Sequence, residues 1–138
     1  MLASGVTLRY TAVGATARHS LTQALGGMPD IIATLYQICV RSKPDDAFIH
    51  EFNSIVSLCH ENEIGPLIDR LAVHIAKKAI NQDAPFEELD KAINNLAGYA
   101  ISKDRVSNDM WEIYLVFDDA ELGDDGWQRL VPNLKKIM

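Results

Sequence analysis

The chain has 138 residues, 48% of them apolar and 23% charged, the mix of one ordinary globular domain with its own core. No apolar run approaches the ~18 residues of a membrane span. A net charge of −6 speaks against direct binding of nucleic acid, which needs lysines and arginines to neutralise phosphates.

Residues 1–27 are expected to form an N-terminal arm with a short helix or strand. Their first twenty, "MLASGVTLRYTAVGATARHS", carry two arginines and no acid. They lack the continuous apolar stretch of a secretory signal. Residues 28–138 are read as a single helical domain. "GGMPD" (26–30) precedes a helix start, and a free helix N-terminus attracts anions. No Lys-Ser/Thr comes after it, and Asp30 would repel a phosphate, so the segment reads as a loop and helix start.

Prolines punctuate the rest of the chain. Pro29, Pro44, Pro66 and Pro85 each stand before an apolar pattern of helical period, where a missing N–H costs least. The first stripe is Ile32, Leu35, Tyr36 and Cys39. The second is Phe48, Phe52, Ile55, Val56 and Cys59, on a helix expected to run from Pro44 to Glu61. The third is Leu67, Leu71, Ile75 and Ala79, with Lys77 and Lys78 at the end that favours cations. The fourth is Phe86, Leu89, Ile93, Leu96 and Ala100.

Pro29 and Pro66 are 37 residues apart, and Pro44 and Pro85 are 41 apart. Adding about 40 places further starts near 105 and 126. Ser107 can cap "NDMWEIYLVF", and Asp124 or Asp125 can cap "GWQRLVPNLKKI". "MWEIYLVF" (110–117) also alternates like a strand, but the repeat and the Ser107 cap favour a helix. Pro132 stands where it could kink the last helix.

The expected fold is all-α: three stacked helical hairpins after a short arm, with an irregular six- to seven-helix globule as the alternative. The spacing resembles HEAT and armadillo arrays, whose period is ~40–47 residues. The resemblance is architectural and carries no signature residues. It implies an extended binding surface rather than a catalytic site.

Charge is distributed unevenly. Between Asp104 and Gly126 there are eight acids and one base, Arg105, so the rest of the chain is near neutral. "VFDDAELGDDGW" (116–127) alone holds Asp118, Asp119, Glu121, Asp124 and Asp125. A calcium loop starting at Asp118 fails, because its third, fifth and twelfth positions are Ala120, Leu122 and Arg129.

Other constellations fail too. His50 and His60, ten apart on the expected helix and so roughly 15 Å apart, cannot share an ion. "HEFNS" is not a zinc pattern. Cys59 and His60 are neighbours that point ~100° apart and make no nucleophile–base pair. His74 is expected on a solvated face beside Lys77 and Lys78. Cys39 and Cys59 read as small hydrophobes rather than a disulfide framework, which fits a reducing cytosol. No catalytic residue, metal ligand or cofactor is assigned.

The chain is therefore read as a binding protein for a basic protein partner. It is similar in size, charge and architecture to small bacterial immunity or antitoxin-type inhibitors. That resemblance implies steric and electrostatic neutralisation of a toxin or nuclease domain. The expected contact residues are Asp118, Asp119, Glu121, Asp124 and Asp125, with Tyr114 or Trp111 as an aromatic anchor. The alternative is a scaffold or adaptor subunit of a larger assembly.

Overall fold

The computed structural model describes residues 28–123 and 125–138. The N-terminal arm, the Gly26–Gly27 pair and Asp124 lie outside the described residues. Those described form six α-helices and no strand. They are α1 (Met28–Arg41), α2 (Asp46–Val56), α3 (Glu61–Ile80), α4 (Phe86–Ser102), α5 (Asn108–Glu121) and α6 (Gly126–Ile137). Residues 110–117 are helical, within α5. None of these helices is long and apolar enough to cross a membrane.

Two helix starts differ from expectation. α2 begins at Asp46 because Asp45, not Pro44, is its cap, accepting the Phe48 amide at 3.0 Å. It stops at Val56, short of the expected Glu61. The amides of Leu58 and Cys59 turn back to the carbonyls of Ile55 and Val56, closing the end with tight turns. His60 then caps α3 in a reciprocal box with Glu63, whose carboxylate accepts the His60 amide at 2.8 Å. His50 and His60 therefore sit on separate elements. α3 starts five residues before Pro66, which lies inside it. The capping box is strong enough to nucleate the helix ahead of the proline.

The later starts fall close to expectation. Pro85 is the N-cap residue of α4. Ser107 caps α5, its hydroxyl accepting the Met110 amide at 3.4 Å while donating to Asp69 of α3. α3 and α4 both end on a residue in the left-handed region, Gln82 (φ 51°) and Asp104 (φ 54°). The next amides, of Asp83 and Arg105, each reach back 2.8 Å to the carbonyls of Lys78 and Ala100, the Schellman pattern that closes a helix.

Each hairpin packs on itself: α1 on α2, α3 on α4, α5 on α6. The first helices pack in succession, α1 on α3 and α3 on α5. The hairpins also interlock, because α4 reaches α1 and α6 reaches α3. This all-α arrangement is compatible with a helical repeat. α3 runs through the middle, and Leu67, Ile68, Leu71, Ala72, Ile75, Ala76 and Ala79 are all buried along it.

Polar ties fix the hairpins' register. Asn95, 2% exposed, donates from Nδ2 to the carbonyls of Cys39 (2.7 Å) and Ser42 (3.1 Å), which end α1. Tyr99 packs at a tilt against Phe52 and donates to Asn53 Oδ1 at 2.7 Å, holding α4 to α2. Tyr36 donates to Glu88 at 2.6 Å, and the His74 ring meets Tyr36 edge-on. His74 is thus half-buried under α1 rather than on a solvated face. Burial, with Lys78 and Lys77 nearby, lowers its pKa.

Candidate functional site

α5 carries most of the acidic segment to one end of the fold. On a helix, Trp111, Leu115, Asp118 and Leu122 form one stripe, with Tyr114 and Glu121 beside it. The Trp111 and Tyr114 rings stack at 5.0 Å between centroids, and both are half-buried. Leu115 and Leu122 are exposed. Tyr114 stands about 10 Å along the helix from Glu121 and one turn from Asp118, so Tyr114 and Trp111 share a face with the acids.

The acids themselves divide into two groups. Asp119 and Asp125 turn to Arg129, at 3.3 Å and 3.5 Å, and the same guanidinium also donates to the Asp119 carbonyl. Asp125 occupies the N-cap position of α6, as expected, but its side chain makes no cap hydrogen bond. Arg129, one turn on, draws the carboxylate away. Glu121 instead comes up to Asp90 of α4, and Asp118, with Glu87 of α4 itself, adds its negative charge to the surroundings of Asp90. Among the described residues, none of these four carboxylates has a lysine or arginine ion-pair partner.

Asp90 is the residue that sequence reasoning passed over. It lies four residues after Phe86 and three before Ile93, on the apolar stripe of α4. An acid on such a stripe is the signal that was there to find. Asp90 comes within hydrogen-bonding reach of Glu121, and its Oδ1 is shut off from solvent with no hydrogen-bond partner. Burial first, then Glu121, Asp118 and Glu87, push its carboxyl up to about 7.

Glu87, Asp90 and Glu121 line a recess of about 650 Å³ between α4, the end of α5 and the start of α6. Its walls include Phe86, Trp127 and Gly126, and its polar lining is Glu87, Asp90, Glu121 and Lys91. Phe86 and Trp127 meet edge to face at 5.7 Å. Trp127 is half-buried against the core, near to the expected role. Gly126 packs closely here: a Cβ on it would stand 3.2 Å from the Phe86 ring, which would have to give by a few tenths of an ångström.

Metal chemistry does not suit the arrangement. Among the described residues no three His, Cys, Asp or Glu side chains are gathered closely enough to hold an ion. Both cysteines are free thiols, and burial raises the pKa of Cys39. A mixed aromatic and acidic recess is suited to an organic cation, which takes charge from the carboxylates and stacking from the rings. No known family, curated protein or solved structure matches this chain.

Proposed function

We propose that this chain is an acidic binding module that neutralises a basic protein partner by covering its cationic surface, in the manner of small immunity or antitoxin-type inhibitors. The observation that carries this reading is the concentration of carboxylates, Glu121 of α5 with Asp90 and Glu87 of α4, around one recess that holds a single base, Lys91, with Asp118 close to Asp90. Asp119 and Asp125, held by Arg129, form the rim. Rim charges act mainly on encounter rate and salt dependence, whereas the part-buried Asp90 would act on dissociation. The mechanism is occlusion assisted by long-range steering, with no bond made or broken.

The test is capture from an extract of the source cells, at low and high salt. Wild type is compared with a variant in which Asp118, Asp119, Glu121, Asp124 and Asp125 become Asn or Gln. A single basic protein is expected on wild type, released by salt and lost from the variant. Equal capture by both would refute the docking surface.

A second reading, a scaffold subunit, draws on the stacked Trp111–Tyr114 pair and exposed Leu115 and Leu122 at the end of the array. Light scattering decides it. A stable homo-oligomer that protects Trp111 supports the scaffold, and a monomer supports the binding module.

A further inference from the structure

We propose that residues 1–27 of this chain pack along the outer face of α5, covering the stripe of Trp111, Leu115 and Leu122, with Arg9 and Arg18 set against the acids beside it. The proposal needs no basic partner and stands or falls apart from the binding-module reading.

The face comes first. α5 turns Met110, Ile113, Phe117 and Ala120 into the core, against α3, α4 and α6. Trp111, Leu115 and Leu122 lie on the opposite side and run over about 17 Å of helix. Leu115 is 46% exposed and Leu122 79%, so no described helix covers them. Trp111 leans on Tyr114, ring against ring. An apolar strip of this kind, bordered by charge, marks a contact surface.

Charge says what suits it. Asp118 lies within the stripe, with Glu112 and Asp119 along one edge, and all three are exposed. Among the described residues, Glu112 and Asp118 have no lysine or arginine partner. Residues 1–27 hold Arg9 and Arg18 and no acid, together with Leu2, Val6, Leu8, Tyr10 and Val13. The segment is thus apolar and cationic where the face is apolar and anionic.

Position and length agree with charge. The segment joins α1 at Met28, about one turn before Ile32. Ile32 and Asp109 line one groove of about 500 Å³ between α1, α3 and the start of α5. Asp109 is two residues from Trp111. The segment therefore meets the fold beside the end of α5 where the stripe begins. At ~3.3 Å per residue, about five extended residues run the length of the stripe, which leaves ample chain for the approach.

A second copy fits this face less well. A symmetric contact would lay the stripe on itself and bring two sets of Glu112, Asp118 and Asp119 together. A tethered segment also acts at an effective concentration of about millimolar without any partner molecule.

The test is photo-cross-linking in the full chain. Tyr10→p-benzoylphenylalanine places a photoreactive ring in the segment, and its cross-links are mapped by mass spectrometry at low and high protein concentration. Links are expected within one chain, to residues 108–122, with a yield independent of concentration. Two double variants should lower that yield about threefold or more: Arg9→Glu with Arg18→Glu, and Leu115→Asn with Leu122→Asn. Both should keep the helical circular dichroism of wild type, because Leu115 and Leu122 stand outside the core and Arg9 and Arg18 precede the first described helix. Quenching of tryptophan fluorescence by acrylamide should rise in both. Links scattered over the molecule, links confined to α1 and α2, or a yield that neither double variant lowers would overturn the proposal. Links between chains that grow with concentration would also overturn it, in favour of a second copy. Loss of the α5 links with normal salt-dependent capture of a basic protein would remove this proposal and leave the binding module standing. Links to α5 without such capture would do the reverse.

Discussion

Two polar residues on α4 stand where its pattern calls for apolar ones, and each has a distinct consequence. Asn95 is buried, and both bonds that its amide nitrogen donates go to carbonyls that α1 leaves open at its C-terminus. Removing the amide strands those carbonyls away from water. Asn95→Ala is expected to lower stability by about 2 kcal/mol in urea unfolding, with a smaller loss for Asn95→Asp only if the protonated acid can donate. Asp90 works in the opposite sense. A carboxyl titrates near 4 in the unfolded chain but near 7 here, so the native state holds the extra proton between those values. Stability contributed at this site is therefore lost as pH rises from about 4 to about 7, and stays low above. Asp90→Asn keeps the shape of the protonated acid. Its melting temperature should exceed that of wild type at pH 8 and approach it at pH 5. An equal difference at both pH values would show that Asp90 is not the titrating group.

The helices show how far local pattern reaches. All four apolar stripes read from the sequence point inward, and the rings that open the second helices, Phe48, Phe86 and Trp127, all pack on the core. Second helices begin at residues 46, 86 and 126, a spacing of forty each time, while first helices begin at 28, 61 and 108. Period was thus legible where the hairpin closes, and proline misled where a competing cap existed. His60 with Glu63 outweighs Pro66 because a reciprocal box satisfies two orphan donors at once, whereas a proline only tolerates a first turn. Pro66 then costs α3 the bond that its N–H would give to the Asn62 carbonyl. Pro66→Ala should raise the urea midpoint, by about 1 kcal/mol or more in unfolding free energy. No gain would mean that the unfolded chain benefits equally from losing the proline. Pro132 sits inside α6 without ending it, since Leu130 and Leu134 on either side are anchored in the core.

Over the whole molecule, charge was legible in total and only partly in its placement. The acidic third was plain in the sequence, but two of its five carboxylates are drawn to Arg129, which stands ten residues from Asp119. Asp90 of α4 stands 28 residues before Asp118 and 31 before Glu121, and only the packing of α4 on α5 brings it to Glu121. Long-range juxtaposition of like charges leaves no periodic trace, which is why Asp90 escaped notice while Asp118 and Glu121 did not. The resulting molecule is polarised: a near-neutral body of α1 to α3 and an acidic end built by α4, α5 and the start of α6. Such a dipolar charge distribution would orient the proposed basic partner before contact.

Hydrogen–deuterium exchange on the complex with the captured basic protein tests this most directly, because it maps where the partner sits. Added protection is expected in the end of α5, in the residues that join it to α6 and in the starts of α6 and α4, weakening as salt is raised. Protection confined to α1 and α2, or unaffected by salt, would contradict the account.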